Sequence, residues 1–426
     1  LRQQMSKVKI LWMSNKAQSE INNKTTGGWL NAMAEGLVRS GEIELANISH
    51  GIVNKITRQD FGELCQWIVP ISKPSPRQIN PSNKNVKRIT DIIKYYNPDL
   101  IHVWGTENIW GLIILRTFLN KPTLLEMQGL KGSIARVFDG GLRPREKLAC
   151  IGLKEILKHS TIFQEQRRFD QWKFKDEEII RGNRWITVQT EWVKAQVQAI
   201  NNQCEIFKND LLLRDDFYNA DPWKDPRNTT IFCSAAYPAP YKGLHVAIRA
   251  ISILREQFPN VQLRIAGDLQ KHGIRQDGYI GWLNREVKRL HLDDHITWLG
   301  ALTAAQIINE IQRASVMVLP SFIENCSNLM QEGMFLGIPL VVSYVGGLPS
   351  LAQDEETALF FPGGDETMCA HQIKRLLVDK LLALHLSHQA RALAWDRNNY
   401  QKVLQSQIHI YHQVIAEHGK GNFLNA

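Results

Sequence analysis

The sequence predicts an α/β protein made of two doubly wound parallel sheets facing each other across a cleft. Three observations lead there. Short apolar runs alternate with segments of helical periodicity in both halves of the chain. These runs are too continuously apolar for a sheet wetted on one side, so helices must cover both faces. A polar stretch at 218–228, rich in Asn, Asp and Pro, separates the two series. With 426 residues there is chain enough for two cores. The boundary falls near 211–228, giving a first domain over 1–210 and a second over 211–404, with a last helix over about 405–426 expected to pack back on the first.

Taken in order, the run 8–14 (VKILWMS) breaks into a polar turn containing Gly27 and Gly28, after which Leu30, Met33, Ala34 and Leu37 recur at helical spacing. Runs at 100–104 (LIHVW), 122–127 (PTLLEM) and 185–188 (WITV) each end at a turn signal and read as buried strands. From Thr229 the rhythm sharpens. Strands at 229–234, 261–267, 296–300, 316–321 and 339–343 alternate with helices at 244–258, near 280–290, from Thr303 and from Ser327.

Composition narrows the class. Apolar residues are 44% and charged residues 22%, as in a folded globular chain. No run reaches the 18 or so uncharged apolar residues of a membrane span, and residues 1–10 do not read as a signal peptide. Six separated cysteines without a C-x-x-C pair suit a reduced, cytoplasmic protein without structural metal. The net charge of +9 is uneven: residues 1–210 carry 31 Lys and Arg against 21 Asp and Glu, while the rest is close to neutral. The basic half suits a phosphorylated ligand, an anionic membrane face or nucleic acid, or a plain solvated surface.

Two such domains usually hold a ligand between them at the carboxyl ends of their strands. No G-x-G-x-x-G phosphate fingerprint follows any strand. The densest chemistry is instead the stretch 321–332 (SFIENCSNLMQE). Ser327 is a natural helix cap, so the N–H groups of Asn328 and Leu329 and the positive helix end are offered to a phosphate. Glu324 precedes this helix and Glu332 lies inside it. Their carboxylates suit hydroxyls on different parts of one elongated ligand, though a surface glutamate and a loop cap would show the same spacing.

The E-x7-E pattern of Glu324 and Glu332, followed by Gly337-Ile338-Pro339, Val341-Val342-Ser343 and Gly346-Gly347-Leu348-Pro349, resembles the retaining GT-B glycosyltransferases of family 4. Lys242-Gly243 and Ala266-Gly267-Asp268 extend the resemblance, which covers 229–363 strongly. The N-terminal half matches weakly, through Gly27-Gly28, the stretch 102–105 and Gln128-Gly129. The resemblance implies a GT-B fold of two Rossmann-like domains and transfer of a sugar, with retention, from a nucleotide diphosphate. It gives Glu332 the ribose hydroxyls, Glu324 the transferred sugar and Lys242 the diphosphate, with Glu324 and Lys242 catalytic. Gly28, Gly267, Gly300, Asn325, Cys326, Ser327, Asn328 and Leu329 complete the donor site, with Gly300 under the base. His102, Trp104 and Gln128 are assigned to acceptor or sugar. No metal or cofactor is implied beyond the nucleotide-sugar substrate, expected to be UDP-glucose from how often relatives use it.

Two departures stand out. The arginine usual five or six residues before the lysine is absent, with Tyr237 and Ala236 in its place, so Arg184 or Arg214 is a candidate substitute. Gln128 stands where many members carry His, and an amide orients by hydrogen bonds without exchanging a proton at neutral pH. The expected acceptor is a glycan or lipid-linked glycan in cell-surface polysaccharide synthesis. The segment 143–184, with 11 basic and 7 acidic residues, suits an anionic membrane carrying such an acceptor or equally a solvated helical pair. Trp29, Trp104 and Trp110 suit sugar stacking or core packing. An isomerase or phosphorylase on the same fold is the near alternative. A basic nucleic-acid-binding protein is the alternative from another class, but no reading helix is present and no nucleic-acid partner is expected.

Overall fold

The structure, a computed structural model, describes residues 7–16, 28–70, 80–235, 237–270 and 276–424. The first sheet contains β1 (Val8–Met13), β2 (Ile43–Gly51), β3 (Thr57–Phe61), β4 (Leu64–Pro70), β5 (Leu100–Trp104), β6 (Thr123–Glu126), β7 (Trp185–Val188) and β8 (Glu205–Lys208). Their order is β3-β4-β2-β1-β5-β6-β7-β8, parallel except for the β3–β4 hairpin turned at Gly62. The second sheet is fully parallel, in the order β11-β10-β9-β12-β13-β14. Its strands are β9 (Thr230–Ser234), β10 (Gln262–Ala266), β11 (Ile296–Gly300), β12 (Val316–Leu319), β13 (Leu340–Ser343) and β14 (Leu359–Phe361).

Local chemistry explains the helix starts. Thr303 caps the helix Ala304–Arg313 with a capping box to Gln306, and Ser327 caps Asn328–Leu336 by accepting from Met330 N at 3.3 Å. The helix after β9 stops at Leu254, short of the 258 expected from periodicity. The central strands of each sheet are buried on both faces, β5, β7, β12 and β13 entirely so, while the edge strand β3 is largely exposed.

The chain order reverses in the second sheet between β9 and its neighbour β12. The loops after these two strands therefore splay apart at their carboxyl ends and open a crevice. The first sheet supplies the facing wall from the loops after β5, β6 and β7. The helix Tyr400–Leu424 returns to the first sheet, where the Tyr411 hydroxyl meets Trp12 Nε1 at 2.9 Å and His102 Nδ1 at 2.8 Å. Asn398 marks the crossing, donating to Leu211 O at 2.9 Å and to Gln331 Oε1 at 2.8 Å. Among the described residues no helix is long and apolar enough to cross a membrane.

Candidate active site

The turn after β9 places Lys242. Gly243 sits at φ 71° with its Cα so near the end of β12 that a Cβ would lie 1.8 Å from Pro320 O. Phe322 N donates to Tyr241 O at 2.7 Å, which fixes the two loops together. Lys242 Nζ consequently reaches Glu324 Oε1 at 2.7 Å, and Ser321 Oγ donates to the same oxygen at 2.8 Å. Burial works against the charge on Lys242, but the Glu324 carboxylate outweighs it and holds the ammonium pKa above its ordinary value.

The loop carrying Glu324 is supported from below by the turn after β13. A Cβ on Gly346 or Gly347 would lie 2.1 Å from Glu324 O or 2.0 Å from Asn325 O, and Gly347 N donates to Glu324 O at 2.9 Å. Two glycines are therefore the condition for this loop's position. One turn into the helix Asn328–Leu336, Glu332 is buried and gripped by Arg214, whose Nε and one terminal NH2 each lie 2.8 Å from a carboxylate oxygen. Burial pushes the Glu332 carboxyl up, and Arg214 pulls it back.

A cleft of about 200 Å³ lies between these loops and the first sheet. Lys242, Glu324, Asn325, Cys326 and Asn328 line one side, and Gln128, Gly129 and Gln189 the other. Asn325 joins the walls: its Nδ2 donates to Gln128 O and, at 3.4 Å, to Gln189 Oε1, while Thr190 Oγ1 donates to its Oδ1 at 3.0 Å. Among the described residues the Gln128 Nε2 amide is buried at this wall without a hydrogen-bond partner. Cys326 accepts from Gln331 Nε2 at 3.2 Å, and burial lifts its thiol to about 12, so it is neutral.

Gly267, at φ 138°, and Gly300, at φ 74°, end β10 and β11 side by side, with Gly267 N donating to Gly300 O at 2.7 Å. Leu329 follows Asn328 in the first turn of the Ser327-capped helix. Gly28 is the first residue of the helix Gly28–Arg39; Gly27 and Ala236 lie outside the described residues, as does the Trp29 side chain.

Several expectations are corrected. His102 and Trp104 do not face the cleft. Alternate residues of a strand share a face, and these two point together at the returning helix. His102 is fully buried, stacked on Trp104 with ring centroids 4.2 Å apart, and bonded to Tyr411. The sequence returns the last helix to the first domain but does not say which face of the sheet it covers. Trp110 is likewise core, stacked on His50 at 3.8 Å with Nε1 on Ser14 O. Arg184 lies at the amino end of β7, over the Trp185 ring, at the opposite end of the sheet from the cleft. Arg214 is committed to Glu332 and does not stand in for the absent arginine.

Sequence reading missed Glu107, Tyr237 and Lys16. Glu107, in the loop after β5, lines the cleft; its carboxylate accepts from Gly129 N, and burial raises its pKa. Tyr237 lines the cleft and its hydroxyl meets that of Tyr241. Lys16, past the carboxyl end of β1, has its pKa lowered by burial first and by the charge of Arg214 second, which puts it on the Arg214 side of the site. Tyr237 stands at the motif's missing-arginine position, where the sequence marked only an absence, whereas proximity in the fold alone joins Glu107 and Lys16 to the motif.

Residues 218–393 match the family described as glycosyl transferases group 1. Over 135 residues the chain is 27% identical to N-acetyl-alpha-D-glucosaminyl L-malate synthase of Bacillus anthracis, covering 32% of this chain and 35% of that protein. The chain thus spans about a third of the length of the curated relatives it matches. Sucrose-phosphate synthase from Thermosynechococcus elongatus superposes on 96% of this chain and 100% of its own, with TM-score 0.76 and 17% identity. HepE of Anabaena, solved with UDP and glucose, matches 95% and 100% of the two chains with TM-score 0.66 and 12% identity. The fold is GT-B.

Proposed function

We propose that this GT-B chain, whose residues 218–393 form a glycosyl transferases group 1 domain, moves a sugar from a nucleotide diphosphate donor to a hydroxyl of a saccharide or lipid-linked saccharide. The observation that carries the reading is the Lys242–Glu324 pair, 2.7 Å apart in the cleft, beside a capped helix end. One such pair offers a cation to a departing diphosphate and a carboxylate to the sugar being released. Glu332 lies deeper on the same helix and takes the ribose hydroxyls. UDP-glucose is the donor proposed.

In this mechanism Lys242 turns spare N–H donors to the diphosphate while Glu324 keeps it oriented. The first turn at Asn328 and Leu329 adds backbone N–H groups. Transfer proceeds with retention: the acceptor attacks from the face the diphosphate leaves, and a phosphate oxygen takes its proton. The Gln128 amide, buried without a partner among the described residues, donates to a sugar or acceptor oxygen. The positioning needs no metal, and the sequence has no D-x-D element.

The test is release of nucleoside diphosphate from a panel of nucleotide sugars with and without saccharide acceptors. Acceptor-dependent release supports transfer. Turnover without acceptor, or only with phosphate, favours an isomerase or phosphorylase instead.

A further inference from the structure

We propose that the outward face of the helices Pro144–Ala149 and Leu153–Lys158 docks on an anionic lipid surface. The apolar part of the face is unusual for a solvated segment. Leu153, Ile156 and Leu157 recur at the i, i+3, i+4 spacing that puts them on one side of a helix, and they are 57%, 58% and 64% exposed. Leu148, at the end of the preceding helix, and Phe163, at the start of the next, are exposed as well. Five large exposed apolar side chains within 16 positions, three of them on one helix face, are denser than the single scatter that a soluble surface carries.

The hairpin cannot roll this face inward, because its other side is already bound. Lys154 Nζ bonds to Asp277 at 3.0 Å, Arg285 donates to Ala149 O at 2.5 Å, and Glu155 is buried and accepts from Gly152 N at 3.0 Å.

Charge selects the occupant. Between residues 143 and 168 every exposed charged side chain is basic: Arg143, Arg145, Lys158 and Arg167. The acids between 143 and 168 are paired or buried, with Glu146 on Arg249, Glu165 on Arg168 and Glu155 buried. Two copies joined through this patch would oppose like charges, which disfavours a symmetric dimer. An apolar face bordered by Arg143, Arg145, Lys158 and Arg167, with Asp170 as the one exposed acid between 143 and 184, carries a net positive charge that matches anionic lipid headgroups over acyl chains. Docking is independent of the proposed transfer activity and is tested without it.

The experiment is co-sedimentation of the full chain with large vesicles of phosphatidylcholine alone or mixed equally with phosphatidylglycerol. Binding should be at least about tenfold stronger to the anionic vesicles and fall with added salt. Leu153→Glu with Leu157→Glu should cut it by about tenfold or more, and Arg145→Glu with Lys158→Glu by a similar factor, at roughly fivefold per basic side chain. Melting curves confirm that each variant is folded, and either variant alone suffices for the test. Equal binding to both vesicle types, or full binding by a folded variant, overturns the proposal. So does a wild type that ignores vesicles but forms a dimer which the Leu153→Glu, Leu157→Glu variant dissolves.

Discussion

Arg214, from the segment that joins the two sheets, holds both carboxylate oxygens of Glu332 at 2.8 Å. The pair is buried, so the carboxylate assigned to ribose is pre-oriented before any ligand arrives. Glu332→Gln should keep the fold yet weaken nucleoside diphosphate binding by about tenfold, read by calorimetry, with KM rising more than kcat falls. Glu332→Ala should also lose about 3 kcal/mol of stability, because Arg214 is left buried and unpaired. Unchanged binding in both variants would remove Glu332 from the nucleotide site.

Lys242→Ala should act on turnover. Charge on the diphosphate grows as the glycosidic bond breaks, so losing this ammonium should lower kcat by about 10²–10³ with a smaller change in KM. A variant keeping half the wild-type kcat would transfer that role to another cation.

Asn325 bridges the two walls through Gln128, Gln189 and Thr190. Asn325→Ala should loosen closure and lower kcat/KM by about tenfold while nucleoside diphosphate binding, measured by calorimetry, changes little. Equal loss in both would make Asn325 a nucleotide contact.

Below the cleft, burial raises the Asp176 carboxyl to about 7, against the pull of the Gly132 N–H at 3.1 Å. The folded state therefore binds a proton that the unfolded chain releases near pH 4. Its contribution to stability is present at low pH and is lost as pH rises from about 4 toward 7. Asp176→Asn should remove that decline, gaining on the order of 1–3 kcal/mol on wild type between pH 5 and pH 8 in denaturant melts. Parallel pH profiles for the two proteins would refute the assignment.

The second sheet was legible because its signals are local. Apolar runs gave β9 to β13, Ser327 and Thr303 gave helix starts, and Gly243, Gly346 and Gly347 sit where loops press on backbone. The strands β2 and β4 escaped because polar residues break their apolar pattern. Asn47, Ser49 and Gln66 are buried and bond to one another across the strands, at 2.9 Å and 3.0 Å. The errors at His102, Trp104 and Arg184 share one cause. A motif gives a residue's strand, but the strand's direction and the element covering each face are long-range facts.

Glu324 carries the central claim, that a carboxylate beside Lys242 holds the transferred sugar and not the nucleotide. The direct measurement pairs calorimetry of free nucleoside diphosphate with acceptor-dependent transfer in Glu324→Gln, where the amide retains a partner for Lys242 and Ser321. Nucleoside diphosphate binding should stay within about threefold of wild type while transfer falls by about 10² or more. Transfer at the wild-type rate, or a loss of nucleotide binding as large as the loss of transfer, would contradict it.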